Sequence, residues 1–438
     1  MTYYSNQLKT HIIDPVYDRT NFRTEFRLEP ESLYLCDARL VNIGATSASG
    51  GKTFNELVGC YGVIKQISLQ DDSQVLDQLL EANKFLAFKQ YNKPNQVSQD
   101  LSVHLTQNSI ASASSQNVGA QTVAKIETWN VVGNASGTNA SPYAGSLGWL
   151  SLKEVFPLLG ALDTQNKGIV DTTFFKNLKV VIEYHTDPNE YMKDASDTVP
   201  QTVEPQLIID EIIGENPLSK YKGFQGVSYK SIEHDRVICP AVAPTATVTL
   251  SPQSNVFHLH GFNNKTVGRM LIIKSPTLEA NYKAGNDNIA GGKLGSHNQN
   301  GESLIVEVNG SNVFSGSGLT GDNQRLGMLH DSWGECSSYN FCNEQAYVEA
   351  DAVNRNTRVK TGTLDMGILD YTGFTINGEV KDLQLKFNRN GVSQVNASSF
   401  RQDATTASPY NTALEVNVYA EVMKNISVAG EAYTVNYV

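Results

Sequence analysis

The chain has 438 residues, of which 40% are hydrophobic and 18% charged, with a formal net charge of −11 from 34 basic and 45 acidic side chains. That length points to two or three domains. An acidic chain whose densest basic spacing, Arg19, Arg23 and Arg27, is interleaved with Asp18, Glu25 and Glu29 does not suit phosphate neutralisation, so sequence-specific nucleic-acid binding is not expected.

The 19 Tyr and 16 Phe fit half-buried sheet surfaces. The start, MTYYSNQLKTHIIDPVYD, has neither the cationic beginning nor the apolar core of a secretory signal. No apolar run approaches the ~18 residues of a membrane span. Cys36, Cys60, Cys239, Cys336 and Cys342 are few and odd in number. Cys336 and Cys342 are close enough in sequence to bridge, but nothing else suggests a disulfide framework. Cys36 lies in a strand pattern and reads as a buried thiol.

Residues 1–30 show no sustained period and read as an N-terminal arm. From Leu33 to Val41, and again through Tyr61, Val63, Ile67 and Leu69, apolar residues recur at steps of two, the signature of strands. The Ser/Gly-rich run from Ala45 to Lys52 separates them as a loop. After Asp71-Asp72-Ser73, a candidate N-cap cluster, Val75, Leu76, Leu79, Leu80, Ala82, Phe85 and Leu86 fall at three- and four-residue steps. This predicts a helix from Ser73 to Gln90.

Leu101 to Leu105 reads as a short strand. Gln107 to Ser146 is a long polar loop region in which only Val123 to Val132 looks strand-like. Ser151 opens a helical run through Leu152, Val155, Phe156 and Leu159, with Pro157 marring its regularity. Leu178 to Tyr184 and Leu207 to Ile213 are strands, and the passage between domains runs to about Ser231.

The second half repeats the pattern. Val256 to His260, Met270 to Ile273 and Leu304 to Val308 are strands, and Ala284 to Glu302 and Ser315 to Gln324 are Gly/Asn-rich loops. Leu383, Leu385 and Phe387 alternate with polar neighbours, as do Leu414, Val416, Val418, Ala420 and Val422. Strands with one apolar face must bury it, most simply sheet against sheet. The expected fold class is therefore all-β, with a sandwich in each half and the division 1–30 arm, 31–215 first domain, 216–231 linker and 232–438 second domain.

The order LYLxxxRLVNIG, LVGCYGVIKxIxLxD and VLDxLxEANxFLAFK across Leu33 to Tyr91 resembles the first domain of double jelly-roll major capsid proteins of Polinton-like viruses and virophages. WLSLKEVFPLLGAL…LKVVIEY (Trp149 to Tyr184) and PQLIIDEII (Pro205 to Ile213) resemble the same family. The resemblance implies two jelly-roll sandwiches in tandem, with short helices and long loops. It also implies a capsid protein without enzymatic activity, resident in the virion, that forms homotrimers of pseudo-hexagonal outline tiling an icosahedral shell. Its partners would be neighbouring capsomers and vertex and minor capsid proteins. The alternatives are a vertex or spike component and a carbohydrate-binding or adhesin-like sandwich.

Three patterns carry residue types of chemistry. Gly316-Ser317-Gly318-Leu319-Thr320-Gly321 has the GxGxxG spacing of dinucleotide loops, but neither a following amphipathic helix nor βαβ surroundings are evident, so a loop is the simpler reading. His258 and His260 share a face of a strand and could serve a metal; ordinary cross-strand hydrogen bonding is the simpler account. His330-Asp331-Ser332 holds the residue types of a hydrolase triad, but adjacent residues rarely converge as a triad must. Glu233-His234-Asp235 reads as a solvated cluster at the domain junction. No catalytic, cofactor-binding or metal-binding residue is assigned, and no cofactor is expected.

Overall fold

The computed structural model describes residues 8–16, 22–43, 45–47, 62–91, 133–134, 148–186, 201–202, 205–213, 226–240, 253–276, 303–314, 316, 318–319, 322–333, 371–389, 414–429 and 432–438. The expected strand Leu101–Leu105, most of the expected loop Gln107–Ser146, the expected loop Ala284–Glu302, and Cys60, Cys336 and Cys342 lie outside these residues.

The first half is a two-sheet sandwich. One sheet orders Ile169–Asp171, Leu33–Leu35, Gln206–Ile212, Arg39–Ile43 and Gly148–Ser151, with Leu8–Ile13 added beside Gln206–Ile212. The facing sheet orders Arg23–Arg27, Leu178–Tyr184, Ile64–Asp71 and Gln74–Leu80. Alternation does what the sequence pattern requires: Val180 sits in register with Phe26 and Leu69, Ile182 with Ile67, and all five enter one core. A further small sheet joins Gln201–Thr202, Ala45–Ser47 and Gly133–Asn134.

Within the segment read as an arm, Leu8–Ile13 and Arg23–Arg27 are strands, one in each sheet. Leu8–Ile13 is largely exposed, so no apolar period marks it.

The helix expected from Ser73 to Gln90 forms only from Ala82 to Tyr91. Asp72, in the left-handed region at φ 51°, turns the chain instead of capping a helix, and Gln74–Leu80 pairs back on Ile64–Asp71. Leu76 and the adjacent Asp77 point to opposite faces of this strand, yet both are fully buried. A strand covered on both sides has apolar residues at irregular steps, and here those steps imitate helical spacing.

Pro157 does not mar a helix but starts one. Leu152–Val155 ends at Phe156, and Pro157 occupies the first turn of Pro157–Gln165, where its missing N–H costs nothing.

The second half is another sandwich. One sheet orders Gly226–Cys239, Leu414–Ala429, Lys265–Pro276 and Tyr371–Val380, with Ala432–Tyr437 beside Leu414–Ala429. The other orders Gln253–His258, Leu383–Arg389, Ser303–Val308 and Ser311–Asn312. Leu383, Leu385, Phe387, Val416, Val418, Ala420 and Val422 meet in its core. The strand Gly226–Cys239 begins inside the stretch read as the passage between domains. Among the described residues, no strand of the first half pairs with a strand of the second.

A helix, Asp322–Trp333, does follow the glycine-rich run. The sequence hid it because, among its described side chains, only Leu329 and Ser332 are buried. It packs over Gly373, where an added Cβ would lie 2.6 Å from Ser332 Oγ and 2.7 Å from Leu329.

Candidate functional site

The two halves meet through a joint that is apolar in part and carries buried polar groups. The core of the first sandwich takes in Val227, Tyr229, Ile232, Tyr419 and Ile426 from the second. The sheet holding Gly226–Cys239 and Leu414–Ala429 therefore contributes to both cores. Phe85 and Phe88 of the Ala82–Tyr91 helix meet each other, Tyr419 and Trp333 in tilted and edge-to-face contacts at 5.2–6.2 Å between ring centres. Such aromatic pairs add about 0.5–1.5 kcal/mol each beyond their buried area.

Buried polar groups require partners, and at this joint both halves supply them. Asp77 Oδ1 accepts from Ser231 Oγ at 2.7 Å and from the Gln78 N–H at 3.0 Å, while Oδ2 accepts from the Leu158 N–H at 2.9 Å. Asp77 thus satisfies a donor in the first turn of the Pro157–Gln165 helix from a neighbouring strand. Burial pushes the Asp77 carboxyl up to about 6, against the opposing pull of the Leu158 and Ser231 bonds and of Lys424.

Lys84, 2% exposed, lies 2.8 Å from Glu81 and 2.9 Å from Glu415 across the joint. Burial works to raise both carboxyls, but Lys84 outweighs it, holding Glu81 down at about 2 and Glu415 below the ordinary glutamate value.

Tyr229 donates to the Leu76 carbonyl, and Tyr433 donates to Asp71 Oδ2 at 2.7 Å. Gln165 presents its side-chain amide to the edge strand, donating to the Ser228 carbonyl at 2.7 Å and accepting from the Ser228 N–H at 3.2 Å. This fills edge positions that would otherwise be open to another strand.

Glu233-His234-Asp235 is not the solvated cluster that its polarity suggests: Glu233 is buried and His234 and Asp235 are half-buried. Glu233 is buried, with Lys424 at 2.6 Å, Lys265 at 3.8 Å and the Tyr437 hydroxyl at 3.2 Å. His234 lies 2.9 Å from Asn417 Oδ1 and 4.9 Å from the Tyr419 ring, and burial lowers its pKa. Both neighbours in the long strand are covered because the sheet has protein on both sides, a tertiary fact that local polarity conceals.

Gly318 has φ 83°, and a Cβ there would lie 2.4 Å from the Leu304 carbonyl oxygen. Glycine is needed for close approach to a strand, with Leu319 and Leu304 exchanging backbone hydrogen bonds at 2.9 and 3.0 Å. Ser332 donates to the Met328 carbonyl of its own helix at 2.6 Å, while His330 and Asp331 are exposed. His258 and His260 are exposed and lie side by side. Among the described residues there is no group of three or more His, Cys, Asp or Glu that could hold a metal ion, and no helix long and apolar enough to cross a membrane.

The described architecture, two tandem sandwiches joined through a shared sheet, defines the double jelly-roll fold. Solved structures carry the likeness. The mavirus major capsid protein matches with TM-score 0.53 and 12% identity over 100% of this chain and 91% of its own. The Faustovirus major capsid protein matches with TM-score 0.52 and 10% identity over 98% and 92%. A chain of the Sputnik virophage structure matches with TM-score 0.53 and 10% identity over 100% and 89%. No family model matches the sequence, and no curated protein does. At these identities the likeness establishes the fold.

Proposed function

We propose that this chain is a major capsid protein, a building block made in many copies whose task is shape and contact rather than catalysis. The observation that supports the reading best is that the double jelly-roll likeness to the mavirus major capsid protein spans the whole of this chain and 91% of that one. The joint fits the role. Apolar packing, the Lys84 ion pairs and the Asp77 bonds hold the two sandwiches in one orientation, as a tile with a fixed outline requires.

In the finer reading, the chain divides between residues 213 and 226, and three copies close into a capsomer of pseudo-hexagonal outline. Closed three-fold symmetry demands a heterologous contact, one sandwich meeting the other of the next copy. A permanent trimer should bury more than ~2,000 Å² in total. Neighbouring capsomers, vertex proteins and minor capsid proteins are the expected partners, and the virion the expected location.

Size-exclusion chromatography with light scattering on the purified chain tests this. A trimer persisting at submicromolar concentration is the expected result. A concentration-independent monomer overturns the trimeric reading.

A further inference from the structure

Two Asn–Gly pairs fall among the described residues, Asn309-Gly310 and Asn377-Gly378. Both asparagines are exposed, both follow a β-branched residue, and both hold the left-handed backbone at φ 53°. Their side chains are held very differently.

Asn309 and Gly310 form the two-residue turn between Ser303–Val308 and Ser311–Asn312, of the primed kind that matches strand twist. The Asn309 carboxamide is engaged at both ends. Its Oδ1 accepts from the Lys381 N–H at 2.7 Å and the Asp382 N–H at 3.1 Å, and its Nδ2 donates to the Glu379 carbonyl at 2.8 Å. These bonds tie the hairpin to the connection between Tyr371–Val380 and Leu383–Arg389.

Asn377 sits in a β-bulge. Val267 is in register with Gly378 and Arg269 with Thr375, so Ile376 and Asn377 together oppose Gly268 alone. The ladder is interrupted at such a bulge, and among the described residues no hydrogen bond holds the Asn377 carboxamide. Gly378 carries no side chain to shield its own nitrogen, and a Cβ built there would meet nothing within 4 Å.

We infer that Asn377 is a site of spontaneous deamidation, in which the Gly378 nitrogen attacks the Asn377 carboxamide, while hydrogen bonds keep Asn309 intact. Nucleophile and electrophile are neighbours along the chain, so no distant group has to converge on them. The Gly378 N–H gives up its proton as its nitrogen bonds to Cγ of Asn377. The Cγ–Nδ2 bond breaks, ammonia leaves with that proton, and a succinimide ring closes. Water then opens the ring at one carbonyl to give aspartate, or at the other to give isoaspartate. Either product places a carboxylate where a neutral amide stood. At Asn309 the same attack requires the carboxamide to rotate out of three hydrogen bonds first.

Ageing the full chain in mildly alkaline buffer, with peptide mapping by chromatography and mass spectrometry, tests this. Aspartate and isoaspartate should accumulate at position 377 at least ~10-fold faster than at 309, because the three hydrogen bonds must open at the latter. In concentrated urea, where that protection is gone, the two rates should converge. Gly378→Ala, whose Cβ enters open space, should slow conversion at 377 several-fold and leave its melting temperature and position 309 unchanged. An Asn377 that stays intact in the aged native chain overturns the inference. So do equal native rates at the two sites, a gap that persists in urea, or an unchanged rate at 377 in Gly378→Ala.

Discussion

Tyr419 donates its phenolic hydrogen bond to the carbonyl of Glu81 at 2.7 Å, across 338 positions of sequence. Glu81 itself sits at φ 46°, in the left-handed region, where Gln74–Leu80 gives way to the Ala82–Tyr91 helix. This bend of the first sandwich is thus held by an inner strand of the second.

Lys84→Met should destabilise the chain strongly. The substitution keeps the length of the side chain but removes the buried cation paired with both Glu81 and Glu415, leaving Glu415 the longer pair with Arg236 at 3.7 Å. Breaking a buried pair in this way costs about 3–5 kcal/mol. Lys153 offers the contrast: it bonds Asp37 and Asp163, both largely exposed. Lys153→Met should cost less than ~1 kcal/mol. Urea denaturation of both variants checks the difference.

The joint carries two opposed pH dependences. The folded-state value of Glu81 is depressed, so its contribution is present above the ordinary glutamate pKa of 4.5 and is lost as pH falls toward about 2. The folded-state value of Asp77 is raised from 3.8 to about 6, so its contribution is present below 3.8 and is lost as pH rises through 6. Asp77→Asn should therefore flatten the stability profile between pH 4 and 6, by on the order of 1–3 kcal/mol. Thermal melts of variant and wild type across that window measure it, and parallel profiles would contradict the assignment.

Leu383→Asp or Val416→Asp should abolish soluble folding, because both positions are fully buried in the second core. An unpaired carboxylate there costs several kcal/mol, set against ~5–15 kcal/mol of net stability. Gln384→Ser, on the opposite face, should fold normally. Soluble yield and circular dichroism separate the outcomes.

Gly318→Ala and Gly310→Ala share a left-handed backbone at φ 83° and 78°, but differ in surroundings. A Cβ at 318 meets the Leu304 carbonyl at 2.4 Å, and at 310 it meets nothing within 4 Å. The second should cost about 1–2 kcal/mol for the backbone alone, and the first measurably more. A larger loss at 310 would contradict the packing described at Leu304.

Much of the fold was legible because strands with one wet face advertise their period. Leu383, Leu385 and Phe387 all proved buried, and the alternation at Val416, Val418, Ala420 and Val422 did too. The joint was not legible, and for a physical reason. At Gln74–Leu80 and at Glu233-His234-Asp235, the covering residues lie 81 to 204 positions away in sequence. Asp77 and Glu233 look like surface acids in sequence, and only Ser231 and Lys424 as neighbours reveal otherwise. The Asp322–Trp333 helix escaped because so little of it faces inward.

The sharing of one sheet between both cores has a consequence in time. Ile426 is fully buried in the core of the first sandwich, so that core cannot close until Ile426 has left the ribosome. From residue 213 to residue 426 is 213 residues of synthesis, roughly 10–40 s at about 5–20 residues per second. Through that interval the nascent first half displays the apolar patch that Tyr229, Tyr419 and Ile426 will cover.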